Sequence, residues 1–161
     1  MKPAEQMVME TIRKHRLILP GEHLVLGVSG GPDSLSLLHI LYEARKRLQI
    51  RLTVVHVNHG FRPGAAEREA EFVRAFCAGR GISCHIVQRD CIAMARKQKQ
   101  SPEEAGREVR YEVLFQTAKQ EHADKVVVAQ NRDDQAETVL FRLLRGTGPD
   151  GLAGKIGRAH V

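Results

Sequence analysis

Ser29-Gly30-Gly31-Pro32-Asp33-Ser34 lies between the apolar segment Leu24 to Val28 and the leucine-bearing stretch Leu35 to Leu48, so a strand must turn through glycine directly into a helix. Two adjacent glycines let the backbone pass close to an anion. Ser29, Asp33 and Ser34 stand where a new helix exposes unpaired N–H groups and the positive end of its dipole. The turn therefore suits pyrophosphate, although an ordinary glycine-rich connection closed by an Asp or Ser cap satisfies the same string. A Walker loop requires Lys followed by Ser or Thr after its second glycine, and a dinucleotide fingerprint requires Gly-x-Gly-x-x-Gly. Neither is present.

The rest of the chain repeats this strand-then-helix order. Ala4 to His15 has helical spacing, and Pro20-Gly21 punctuates it before a strand near His23 to Val28. Leu35, Leu38, Leu41 and Leu48 share one helical face. Strands are predicted at Arg51 to Val57 and Ile82 to Val87, separated by a helix from Ala65 to Gly81 whose apolar positions include Ala70, Phe72, Val73 and Phe76. Asp90 to Gln100 is polar and basic and reads as a loop with a short helical turn. Ser101-Pro102-Glu103-Glu104 opens a helix to about His122, with Ser101 as N-cap. Val126 to Ala129 is wholly apolar, as in a strand covered on both faces. A last helix is predicted over Asp133 to Arg145. Together these elements predict an α/β fold, a doubly wound parallel sheet of about five strands with helices on both faces and ligands at the carboxyl ends of the strands.

A chain of 161 residues is the size of one domain. Its 25 Lys and Arg exceed its 19 Asp and Glu, giving +6, which favours a polyanionic partner such as RNA, though a nucleotide accounts for part of it. No apolar run reaches the roughly 18 residues that span a bilayer, and the N-terminus lacks a signal peptide's apolar stretch, so the expectation is a cytoplasmic protein without a membrane partner. Cys77, Cys84 and Cys91 form no Cys-x-x-Cys pair and read as buried thiols.

Three further segments fall beside the strand ends. His56-Val57-Asn58-His59-Gly60-Phe61-Arg62 leaves the second strand and places polar side chains where an adenosine would lie, or else forms a loop of solvated histidines. Glu103, Arg107, Arg110 and Tyr111 are spaced to share neighbouring helix surface, which an intrahelical ion pair also explains. Asp134 and Glu137 share a face of the last predicted helix, able to hold Mg²⁺ or an ammonium group, while Asp133 and Asp134 equally suit a cap. Arg145-Gly146-Thr147-Gly148 forms a second flexible, basic turn.

The Ser29 to Ser34 string resembles the PP-loop of the ATP pyrophosphatases, which several families share. Taken with His56-Val57-Asn58-His59-Gly60 and Arg62, with Glu103, Arg107, Arg110 and Tyr111, and with Asp133-Asp134-Gln135-Ala136-Glu137-Thr138 followed by Leu144-Arg145-Gly146-Thr147-Gly148, the stretch from about Gly21 to Gly154 resembles the N-terminal domain of the tRNA(Ile)-lysidine synthetases. That resemblance implies an adenine nucleotide alpha hydrolase-like fold and a carbon–nitrogen ligase. Such an enzyme adenylates the wobble cytidine of a CAU anticodon and joins it to lysine, releasing pyrophosphate and AMP. ATP and Mg²⁺ are the implied cofactors, tRNA(Ile) and free L-lysine the implied partners, and a homodimer is an admissible assembly.

By position, Ser29, Gly30, Gly31, Pro32, Asp33, Ser34, His56 and Asn58 would bind the nucleotide, with Asp33 also the metal contact. Asp33, Arg110, Asp134 and Glu137 would act in catalysis. Arg62, Glu103, Arg107, Tyr111, Asp134, Glu137 and Arg145 would contact the tRNA or lysine. The chain departs from the family pattern at Gln130, where many members have His, at Gly106, where Ala is common, and in lacking the C-terminal tRNA-binding regions. Gln130 can hydrogen-bond but cannot carry a proton. The rival readings are another PP-loop enzyme such as a tRNA thiolase, and a nucleotide-binding fragment without turnover.

Ile156-Gly157-Arg158-Ala159-His160-Val161 is the in-frame translation of ATC GGA AGA GCA CAC GTC, which resembles a common sequencing-library adapter, although a natural C-terminus could match the same string. The expected organisation is therefore a covering helix in 1–20, a PP-loop domain in 21–155 and an adapter-derived string in 156–161.

Overall fold

The computed structural model describes residues 3–60, 64–132, 135–143 and 152–160. In chain order the elements are α1 Pro3–His15, β1 His23–Gly27, α2 Pro32–Leu48, β2 Arg51–Asn58, α3 Ala65–Ala78, β3 Ser83–Gln88, α4 Cys91–Gln98, α5 Pro102–Gln120, β4 Lys125–Arg132, β5 Gln135–Leu143 and β6 Leu152–His160. One sheet runs in the order β3-β2-β1-β4-β5-β6. Its first four strands are parallel, with Leu26 opposite both Val54 and Val127.

Alternation along β1 divides the core. Leu24 and Leu26 face α1, α2 and α3, packing with Val8, Leu37, Leu38, Leu41 and Val73. Val25 faces the other side and packs with Cys91, Val109, Val113 and Leu114 of α4 and α5. All three β1 residues are fully buried, and each such side chain contributes about 1.5–3 kcal/mol. Helices therefore cover both faces of the parallel strands, as the apolar Val126 to Ala129 run predicts. The chain builds from β1 through β2 to β3 on one side and then crosses back to place β4 on the other side of β1. That reversal opens a crevice above the carboxyl ends of the central strands.

Local signals explain several boundaries. Ser101 Oγ accepts the N–H of Glu104 at 3.2 Å and Pro102 takes the first turn of α5. The α2 helix stops where Gln49 turns left-handed at φ 56°.

Three expectations are corrected. Residues 91–98 form a full helix, because Asp90 caps it by accepting the Ala93 N–H at 3.0 Å and Cys91 and Ala95, four apart, bury one face. Residues 135–143 form an antiparallel strand in place of the last predicted helix. Ala136, Val139, Leu140 and Leu143 have helical spacing, but Thr138, Val139 and Phe141 favour a strand, and β4 offers an open edge along which Gln135 to Arg142 pair. The sheet is consequently mixed, with three parallel and two antiparallel pairings. Phe72 does not join the core and is 56 % exposed on α3.

Candidate functional site

The turn after β1 is held by its two serines. Ser34, buried in the first turn of α2, accepts the Ser29 N–H at 3.2 Å through its hydroxyl, which also lies 3.1 Å from Ser29 Oγ and donates to the Gly31 carbonyl at 3.1 Å. Ser29 Oγ in turn accepts the Gly31 N–H at 3.3 Å. Gly30 adopts φ 93°, where a side chain is strained, and a Cβ there would stand 3.2 Å from Glu69 Cβ. Gly31 and Pro32 complete the turn, and Asp33 is half-buried at the mouth of α2. The result is a backbone cradle at a helix N-terminus, suited to an anion.

Beside the cradle lies a cavity of about 170 Å³ lined by residues including Ser29, His56, Asn58, His59, Glu69 and Arg110. His56 is buried and its Nδ1 faces the Val28 carbonyl at 2.8 Å. A carbonyl only accepts, so in the neutral ring Nδ1 carries the proton and Nε2 is an acceptor, buried without a partner among the described residues. Asn58 Oδ1 accepts the Gly60 N–H at 3.0 Å, which shapes the loop leaving β2. His59 lies 3.4 Å from Cys91 Sγ through Nδ1. Burial first, then the charges of Arg110 and His56, hold the His59 imidazole below its usual range. Arg110 Nε is likewise buried without a hydrogen-bond partner among the described residues. An unpaired buried donor and acceptor at one cavity are the groups a polar ligand would satisfy.

Gly27 also lines the cavity, and a Cβ there would meet Leu114 Cδ1 at 2.9 Å. Its bare backbone lets α5 lie close to the sheet and brings Arg110, one turn before Leu114, over the strand end.

Of the residues singled out from sequence, Ser29, His56, Asn58 and Arg110 line one cavity. Glu103 and Arg107 are exposed on α5 and do not line the cavity, and Tyr111 stacks on Phe115 at 5.8 Å against the core. Glu137 stands on β5 opposite Gln130, so the shared helical face invoked for Asp134 and Glu137 does not form. Arg62, Asp133, Asp134 and Arg145 lie outside the described residues. Glu69 and Gly27 were invisible to motif reasoning: Glu69 is one of several acidic residues on α3, and nothing in its immediate sequence distinguishes it.

Among the described residues no group of three or more His, Cys, Asp and Glu could hold a metal ion. Asp33 alone at the cradle suits Mg²⁺, which keeps several waters and binds through one or two carboxylates and substrate phosphates. No described helix is long and apolar enough to cross a membrane.

The PP-loop domain family matches residues 2–160. The chain is 39% identical over 147 residues to tRNA(Ile)-lysidine synthase of Clostridium acetobutylicum, covering 91% of this chain and 32% of the relative. It is 36% identical over 154 residues to tRNA(Ile)-lysidine synthase of Chlorobaculum tepidum, covering 96% and 46%. The chain thus spans about a third of the length of most of the curated relatives it matches. Among solved structures, a tRNA thiolase of Methanococcus maripaludis with its 4Fe–4S cluster aligns with TM-score 0.63 at 25% identity, over 81% of this chain and 47% of that one. An NH₃-dependent NAD synthetase of Campylobacter jejuni aligns with TM-score 0.52 at 17% identity, over 77% and 52%, which speaks to the fold alone.

Proposed function

Because the chain belongs to the PP-loop domain family, we propose that its glycine turn holds the β- and γ-phosphates of ATP and that the adjoining cavity carries out adenylation of a tRNA base. The observation that carries this reading is the convergence of Ser29, His56, Asn58 and Arg110 on one cavity beside the Ser29–Ser34 cradle. The phosphates take the free N–H groups of the turn and of the α2 N-terminus. His56 and Asn58 face the adenosine, and the α-phosphorus is left open to attack.

The specific reaction is lysidine formation at the wobble cytidine of tRNA(Ile), supported by the identity to the tRNA(Ile)-lysidine synthases. The cytidine O2 attacks the α-phosphorus and pyrophosphate leaves. The amine of free lysine then attacks C2, AMP departs with the O2 oxygen, and the amine nitrogen loses its proton. Arg110 stabilises the negative charge that develops during transfer, and Asp134 and Glu137 are the carboxylates assigned by position in the sequence to the lysine ammonium. Asp33 would hold Mg²⁺, which offsets triphosphate charge when bound. Reaction in the cytoplasm, with tRNA(Ile) and lysine as partners, belongs to the same reading.

Thiolation fits less well. Cys77 and its neighbour Cys84 belong to the core on one sheet face and Cys91 to the core on the other, so they do not converge on one cluster. The test is pyrophosphate release from ATP with Mg²⁺ and lysine, with and without a tRNA(Ile) transcript bearing CAU. Release that needs the tRNA and disappears in Asp33→Ala supports the proposal. Nucleotide binding without release identifies a binding fragment.

A further inference from the structure

Outside the cavity, α3 presents an exposed aromatic ring beside the phosphate cradle. Phe72 is 56 % exposed and forms, with Leu35, Ala65, Arg68, Glu69 and Gly30, a shallow groove. Glu69 and Gly30 make it continuous with the site: Glu69 lines both the groove and the cavity, and Gly30 belongs to the cradle itself. An aromatic face that excludes no water from any core is poorly used unless something planar covers it. Glu69 sharpens the question, because a carboxylate at the edge of an anion-binding turn repels the phosphates placed there. It has no ion pair among the described residues, whereas Glu71, on the same helix, is paired with Arg74. A donor from a ligand would relieve it.

We propose that this groove receives the unstacked cytidine of the RNA substrate, with its base against Phe72, its exocyclic amine donating to Glu69 and its phosphate beside Arg68. The assignment rests on the RNA-modifying reading above and names the surface that would recognise the acceptor base. Each contact matches known chemistry. Single-stranded bases stack on aromatic side chains, a carboxylate accepts from the cytosine amine, and exposed arginine contacts phosphate. Uridine, with a carbonyl in place of that amine, would face Glu69 with two acceptors. Glu69 is thus a specificity-determining residue, and Phe72 a stacking platform. The groove lies at the wall of the nucleotide cavity, so a base held there is next to the phosphates it must meet.

The experiment is equilibrium binding of this chain to two single-stranded heptanucleotides with the anticodon-loop sequence, one carrying C and the other U at the wobble position. The C oligonucleotide should bind several-fold more tightly. Phe72→Ala should weaken binding roughly ten-fold, Phe72→Tyr should keep it, and Glu69→Gln should erase the preference for C over U. Phe72 is exposed, and thermal unfolding of each variant confirms its fold. The proposal falls if the unaltered chain binds neither oligonucleotide, if Phe72→Ala binds equally well, or if Glu69→Gln retains the preference. It also falls if Phe72→Ala abolishes self-association while leaving RNA binding intact, which would make the groove a protein interface. A fluorescent ATP analogue tests the earlier reading separately. Failure of the unaltered chain to bind it overturns the nucleotide site, whereas nucleotide binding with no oligonucleotide effect at Phe72 overturns only the groove.

Discussion

The two ends of the parallel strands differ in how far their polar groups are paired within the protein. At the amino ends most of the groups are paired within the protein: buried Lys125 donates to the Leu17 carbonyl at 2.6 Å and to Glu22 at 2.8 Å, His23 Nε2 meets Thr53 Oγ1 at 2.7 Å, and Asp124 accepts the His23 N–H at 2.8 Å, while His23 Nδ1 and Glu121 Oε2 are buried without a partner among the described residues. His85 and Glu121 pair at 3.0 Å nearby. At the carboxyl ends, His56 Nε2 and Arg110 Nε are buried without partners among the described residues, and both residues line one cavity. The amino end is thus largely closed by its own ion pair and hydrogen bonds, and the carboxyl end places its unpartnered donor and acceptor together at the cavity beside the cradle. Internal pairing dominates the first end, and open bonding capacity beside the anion cradle marks the second.

Substitutions at the closed end should cost stability and substitutions at the open end should cost function. Lys125→Met should produce the largest loss of stability, about 3 kcal/mol in denaturant unfolding, because Glu22 and the Leu17 carbonyl lose their buried partner. A loss under about 1 kcal/mol would break the contrast. Arg110→Ala should lower pyrophosphate release about 100-fold while changing unfolding free energy by less than about 0.5 kcal/mol. Equal losses in both measurements would show that Arg110 is structural. Gly30→Ala, forced to φ 93° against Glu69, should cost about 1–2 kcal/mol and weaken ATP binding, read by calorimetry and nucleotide titration.

Acidification should act on both ends. His23 and His59 are held below the ordinary imidazole value of 6.5, first by burial and then by a neighbouring arginine, Arg51 and Arg110 respectively. Below that pH the unfolded chain takes up protons that the folded chain refuses, so stability is complete above 6.5 and declines as pH falls through the folded-state values. Thermal midpoints measured between pH 7.5 and 5 (on the order of the imidazole range) should fall, and His59→Asn should flatten the decline. The smallest effect concerns a thiol at the amino end of β3. A hydrogen bond from Cys77 is the chief influence lowering Cys84 to about 7, so iodoacetamide labelling of Cys84 should rise with pH around that value and shift upward in Cys77→Ala. A midpoint unchanged by Cys77→Ala would remove that hydrogen bond from the account.

Sequence reading recovered what is determined locally. The Ser29–Ser34 turn, the Ser101 cap and the apolar β4 run each carry their own physical reason and appear where expected. What it missed was decided by distant partners. Residues 135–143 have helical spacing, yet the free edge of β4 lies next to them in the chain and backbone pairing overrides the pattern. Helix α4 was obscured because only Cys91 and Ala95 are buried in a polar stretch. In the site, the string containing His56 and Asn58 was legible as a motif, whereas Glu69 reaches the cavity only because α3 packs beside Gly30. Glu103 and Arg107 share a helix with Arg110 but are exposed on it and do not line the cavity.

One consequence follows from Gly27. With no methyl at that strand position, the clearance between sheet and α5 is set by backbone against the Leu114 side chain, and Leu114 and Arg110 ride on the same rigid rod. Gly27 therefore works as a shim of zero thickness. Adding even one carbon would press on the buried Leu114 and Val128 methyls, and any shift of the rod that relieves them would carry the Arg110 guanidinium away from the cavity it lines.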